Sequence, residues 1–268
     1  RISKRIMLLG DSFVDGACVP EGSDLGNQLR NQGLSVFNLG CGGNGPLAMT
    51  GTWREYKDLV KPEIVVWFYF EGNDLLNISE EKNTLLRKYL DPAYSQNLLH
   101  RDEERMAELA TLLEKTARQY KTTKPLHGDN ATSNQRPFLF NLLTLYHIRE
   151  YFGVTSRGIN LKAYEQTFLK FYAQARRENQ KVLFVYLPSF YSISIDGKRP
   201  IFPSRYEDYR SYIIDLVERS GVSFLDFEKV LLDQNDPEGF FPFRRYNHYG
   251  PAAYTLLAKE ISAVIKQM

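Results

Sequence analysis

Four short stretches hold the side chains capable of covalent chemistry. Gly10-Asp11-Ser12 ends an apolar run with a hydroxyl beside an acid, residues 38 to 46 read NLGCGGNGP, residues 71 to 74 read EGND, and residues 247 to 254 read NHYGPAAY with His248 near the start. A seryl hydroxyl, an imidazole, glycine-rich backbone and a carboxamide are the parts that acyl transfer needs. The nucleophile must be made reactive by a base, and hydrogen-bond donors must aim at the oxygen that becomes negative. Taken singly, each stretch also has an ordinary structural reading. Asp or Ser before a helix caps it, Asn-Asp after a strand makes a turn, and a histidine at a helix start is more often a surface or capping residue than a base.

What joins the stretches is the elements that would carry them. Short apolar runs at 5–9, 35–39, 63–70, 181–187 and 222–227 are continuous rather than alternating, the mark of parallel strands covered on both faces. Helix signals lie between them. Ser204 to Glu207 is a capping box opening a helix that Gly221 closes, and Pro46 and Pro251 each stand where a first-turn proline would. The expectation is a three-layer α/β/α fold with about five mostly parallel strands. In an open parallel sheet ligands gather beyond the carboxyl ends of the strands, and three of the four stretches directly follow an apolar run.

The spacing has one anomaly. More than 100 residues separate Phe70 from Lys181, where a crossover needs about 30. A helical insertion over 79–160 is therefore expected within a single domain spanning 1–268. Residues 121–136 are polar and turn-rich. Over 137–153, Asn141, Thr144, His147 and Glu150 recur every third position in an otherwise apolar run, as in a helix buried on most sides.

Composition narrows the partners. Lys and Arg total 34 against 32 Asp and Glu, a formal net charge of +2, with no basic block for nucleic acid or anionic lipid. The longest apolar stretch is far shorter than the roughly 20 residues that cross a bilayer. The sequence starts at Arg1 rather than Met, which leaves room for a missing N-terminal anchor or targeting segment and constrains location little; an extracytoplasmic one is expected ahead of a cytoplasmic one. His100, His127, His147 and His248 stand far apart without linking carboxylates, so neither a metal nor another cofactor is expected. Cys18 and Cys41 either pair or remain two unremarkable thiols.

Together the blocks at 10–12, 38–46, 71–74 and 247–254 resemble, in order and in strand position, those of the SGNH hydrolases, the GDSL esterase and acyltransferase superfamily. The resemblance implies a flavodoxin-like sheet, Ser12 as nucleophile, and His248 as base. It also implies an oxyanion hole from the backbone of Ser12 and Gly43 and the side chain of Asn73. Physical chemistry agrees with these roles. Ser12 would end a strand and start a helix, offering its own N–H and the helix's positive end. Gly43 sits where backbone can approach a ligand closely, and Asn73 donates without a permanent ion pair. Asp11 is read as fixing the turn that carries Ser12.

Two positions depart from the pattern. Relatives carry an aspartate three residues before the histidine, where this chain has Arg245; Glu71 replaces the first glycine of the G-x-N-D block and would shape or charge the pocket floor. Without the aspartate, a backbone carbonyl near His248 would orient the ring, or Asp233 or Asp236 would fold back to it, or activity would be lost. Arg244 and Arg245 are either an anion site or a solvated basic pair. The expected function is hydrolysis or transfer of acyl esters, with O-acetyl groups of a carbohydrate as substrate ahead of lipid or small-molecule esters. The alternatives are a non-catalytic ligand-binding domain and a dinucleotide-binding protein, since Gly40 to Gly45 also fits G-x-G-x-x-G.

Overall fold

The computed structural model describes residues 4–101, 104, 106–108, 110–115, 159–193, 203–245 and 248–268. Its frame is β3 (Ile64–Phe70), whose seven residues are all buried. A run of β-branched and aromatic side chains without polar alternation suits a strand covered on both faces. Beside it lie β1 (Arg5–Leu9), β2 (Ser35–Asn38), β4 (Lys181–Leu187) and β5 (Ser223–Asp226), in the order β2-β1-β3-β4-β5. Every neighbouring pair is parallel, with Leu8 opposite Val66 and Val66 opposite Leu183. This order reverses between β1 and β3, so the switch point where parallel sheets bind ligands falls between the strands that precede Ser12 and Asn73.

The strand period of two sorts the core into two layers. Val66, Phe68 and Phe70 face one cluster with Phe13, Leu25 and Leu257, which brings α1 (Ser12–Asp15), α2 (Leu25–Asn31) and α9 (Pro251–Gln267) to that side. Val65, Trp67 and Tyr69 face the other with Trp53, Phe168 and Ile213. That layer is built by α3 (Pro46–Val60), α4 (Asp74–Glu81), α5 (Leu161–Arg177) and α7 (Pro203–Ser220). Two short helices complete the unit, α6 (Phe190–Ile193) after β4 and α8 (Phe227–Leu232) after β5. The three-layer architecture expected from the sequence is present, and its sheet is parallel throughout.

Prolines 46 and 251 occupy first-turn positions, and Gly221 takes φ 66° beyond the end of α7. The strand expected at 222–227 is shorter because Phe227 already opens α8. The capping-box side chains at 204–207 lie outside the described residues, as do the polar segment 121–136 and the helix expected at 137–153.

The chain divides into two compact units, Arg1–Tyr94 with Arg157–Met268, and Ser95–Ser156. The first contains the sheet. In the second, Leu98–His100 makes a 3₁₀ turn and Arg101 holds Glu104 through hydrogen bonds of 2.7 and 2.6 Å. Among the described residues no helix is long and apolar enough to cross a membrane.

Candidate active site

β1 runs directly into the turn that holds Ser12. Asp11 caps it, its Oδ1 accepting the Phe13 N–H at 2.9 Å while its carbonyl accepts from Val14 and Asp15. Gly16, at φ 94°, closes the turn. The helix is only four residues long, so the field expected of a helix start reduces to the individual N–H groups of one turn. Of these, the N–H of Phe13 is already taken by Asp11.

His248 reaches Ser12 from the far end of the chain. Buried Tyr249 donates to the Pro188 carbonyl at 2.7 Å, Tyr254 donates to the Phe13 carbonyl at 2.7 Å, and the Gly250 N–H donates to Phe240 at 2.8 Å. The imidazole packs on the Phe13 ring with centroids 4.7 Å apart, and Phe13 packs in turn on Phe70 at 3.9 Å. Held this way, His248 Nε2 lies 2.8 Å from Ser12 Oγ.

The other ring nitrogen meets sulfur. Cys18 Sγ lies 3.6 Å from His248 Nδ1. When the seryl hydroxyl donates to Nε2, the neutral ring carries its proton on Nδ1 and directs it at that sulfur. Cys18 is exposed and takes a left-handed φ of 70° just after α1. Both cysteines are free thiols.

The glycine loop lies against the same turn. Asn38 bridges the two, its Oδ1 accepting from the Gly40 N–H at 3.0 Å and its Nδ2 donating to the Val14 carbonyl at 2.7 Å. A Cβ on Gly40 would stand 2.7 Å from the Asp15 nitrogen, so only glycine fits, and a Cβ on Gly42 would come 3.8 Å from that of Ser12. Gly43 has φ 84° with open space where a side chain would be. Its carbonyl accepts from Asn77 on α4 at 3.1 Å.

Asn73, at the cap position of α4, donates through Nδ2 to Asp11 Oδ2 at 3.1 Å. An amide nitrogen carries two hydrogens, so one remains for another acceptor. Its Oδ1 is buried without a hydrogen-bond partner. Burial raises the pKa of Asp11, against the lowering influence of the Phe13 N–H, Asn73 and nearby His248. Burial likewise raises Asp74 well above the usual range, with Asp11 adding repulsion.

Glu81 organises the loop from α4. Its carboxylate accepts the N–H groups of Gly45 at 2.9 Å, Leu47 at 2.8 Å and Ala48 at 3.2 Å, capping α3, which has no side-chain cap of its own. Burial, opposed by these three donors, pushes it up to about 7. The N–H groups on which a dinucleotide's pyrophosphate would rest are therefore occupied by the chain's own carboxylate.

The remaining site residues make contacts of their own. Glu71, expected at the pocket floor, is buried; it accepts from Tyr186, from the Ser189 N–H at 2.6 Å and from Ser192, tying the end of β3 to the segment after β4. Arg245 is exposed. Its neighbour Arg244 is held by Asp236 through bonds of 2.7 and 2.6 Å, so that acid is engaged with the arginine, while exposed Asp233 caps the end of α8. A hollow of about 770 Å³, lined by Lys82, Arg87, Lys88 and Lys170 among others, shares no residue with the Ser12 rim. Among the described residues no group of three or more His, Cys, Asp or Glu side chains could hold a metal ion. Two participants escaped the sequence reading: Cys18, which meets a histidine 230 positions away, and Glu81, which meets a loop some 36 positions earlier.

No family model matches the chain, and no curated protein does. Solved structures do. A lipase/acylhydrolase from Enterococcus faecalis superposes with TM-score 0.53 at 15% identity, covering 98% of this chain and 96% of that one. A GDSL-like lipase from Bacteroides thetaiotaomicron gives 0.53 at 10% identity over 99% and 89%. The acetylxylan esterase Axe2 from Geobacillus stearothermophilus gives 0.51 at 14% identity over 98% and 94%. At these identities the likeness is one of fold: the chain shares its three-layer α/β/α architecture with a lipase/acylhydrolase, a GDSL-like lipase and an acetylxylan esterase.

Proposed function

We propose that the chain is a serine-dependent SGNH-type acyl ester hydrolase or O-acyltransferase that works through an acyl-Ser12 intermediate. The observation carrying this reading is the 2.8 Å contact between Ser12 Oγ and His248 Nε2, within the reach a general base needs. As Oγ bonds to the ester carbon, its proton passes to Nε2. The carbonyl oxygen becomes an oxyanion beside the Ser12 and Gly43 N–H groups and the second amide hydrogen of Asn73. Collapse breaks the bond to the alcohol, which takes the proton from His248. Water, or an acceptor hydroxyl, then attacks the acyl-serine by the same route in reverse.

O-acetyl groups of a carbohydrate are the proposed substrate. Axe2, of the same fold, is an acetylxylan esterase, and the rim around Ser12 is open enough to leave Gly43 exposed. One feature favours a second reading, a binding domain that has lost catalysis: Arg245 stands where relatives carry the acid.

p-Nitrophenyl acetate turnover by wild type and Ser12→Ala separates the two. Ser12-dependent turnover supports the enzyme, and equal rates support the binder. Trapping with a fluorophosphonate and mapping the adduct by mass is the stricter test, since modification of a different serine would end the assignment.

A further inference from the structure

We infer that Cys18 is the positioning residue for His248, taking the place that an aspartate holds in other serine–histidine sites. This rests on the acyl-serine reading above. An imidazole that accepts a proton at Nε2 needs a partner at Nδ1, both to hold the tautomer and to offset the charge that forms. Arg245 occupies the usual position of that partner and is exposed. Asp11, which lies near the ring, already accepts from Phe13 and Asn73. Cys18 Sγ lies 3.6 Å from Nδ1, a normal N–H···S separation given the size of sulfur.

The proton balance is simple. The seryl proton moves to Nε2, the Nδ1 proton stays on the ring and hydrogen-bonds to sulfur, and the proton on Nε2 later leaves with the alcohol. The sulfur is not consumed. As a thiolate it pairs with the imidazolium, and as a thiol it still accepts weakly. Asp11 faces the same ring and adds to the negative field.

The left-handed backbone at Cys18 suits a matched pair of replacements, because Asp and Asn both tolerate that conformation and share one shape. An aspartate oxygen also reaches one bond farther than the sulfur, shortening the gap to Nδ1. Cys18→Asp is expected to keep kcat on p-nitrophenyl acetate within about threefold of wild type. Cys18→Asn and Cys18→Ala are expected to lose about 100-fold in kcat with KM little changed, a typical scale for impaired general-base catalysis. Fluorophosphonate labelling of Ser12 should slow in parallel. The downfield proton resonance of His248 Nδ1–H should persist in Cys18→Asp and weaken in Cys18→Ala, and equal thermal midpoints for the Asp and Asn variants would set folding aside. A Cys18→Ala enzyme as active as wild type, or Asp and Asn variants equally impaired, would overturn the inference while the acyl-serine reading stands. Loss of Ser12 dependence itself would overturn both.

Discussion

The amide of Asn73 donates to the carboxylate of Asp11 at 3.1 Å, so the residue that caps the helix after β3 is oriented by the residue beside Ser12. A carboxylate only accepts, which forces the nitrogen, and not the oxygen, of Asn73 toward it. The second amide hydrogen is thereby fixed as well.

Asn73→Ala should lower kcat on p-nitrophenyl acetate by about 100- to 1,000-fold, the usual result of removing one oxyanion donor. Asp11→Asn should do nearly as much harm. The new amide still caps the Phe13 N–H but presents hydrogens to Asn73, whose carboxamide then turns its oxygen to face it. The double variant should be no worse than Asn73→Ala, because both changes remove one interaction. Additive losses in kcat would refute this coupling.

Glu81 gives stability a pH signature. Its folded pKa of about 7 stands above the ordinary 4.5, so the folded chain holds that proton more tightly than the unfolded one. Its contribution is complete below pH 4.5 and is lost as pH rises through 7. The difference corresponds to at most about 3 kcal/mol. Urea unfolding of wild type and Glu81→Gln at pH 5 and pH 8 should show the wild type losing ground to the variant at the higher pH. A pH-independent gap between the two would exclude it.

Tyr254→Phe leaves the buried carbonyl of Phe13 without the donor now at 2.7 Å. Stability should fall by about 1–3 kcal/mol, the cost of a buried acceptor left unpaired, measured as a lower midpoint in urea. Fluorophosphonate labelling should slow as well, since the same bond joins the helix after His248 to the turn of Ser12. Unchanged labelling in a destabilised variant would show the bond to be structural alone.

Gly40→Ala places a methyl where the Asp15 nitrogen and Val14 already stand. Overpacking of this kind costs about 1–3 kcal/mol, and here it must also push the glycine loop off α1. A variant with wild-type urea midpoint and turnover would mean that the loop can move aside freely.

Local pattern was enough to read the strands and the helix starts. The apolar runs before Gly10 and Glu71 are continuous because β1 and β3 are covered on both faces, whereas edge strand β2 leaves Phe37 exposed, and Pro46 and Pro251 mark helices by fixing φ. Ser12, Gly43, Asn73 and His248 are named by the resemblance of the blocks that hold them, and those blocks lie after such runs or before such a helix. Contacts made across the fold were hidden. Cys18 looks like any thiol until α9 brings His248 over it, and Glu81 looks like a surface residue of α4 until α3 docks its bare N-terminus there. The partners of Glu71 were hidden for the same reason, since Tyr186, Ser189 and Ser192 lie more than 100 positions later.

The 236 positions between Ser12 and His248 also order events during biosynthesis. The seryl hydroxyl leaves the ribosome long before the imidazole of His248, and on the acyl-serine reading it stays inert until that proton acceptor has been made. On the acyl-serine reading proposed above, the nucleophile gains its base only when α9 settles beside α2, so a polypeptide halted before residue 248 would not cleave esters, and reaction with a fluorophosphonate would report completed folding as much as chemistry.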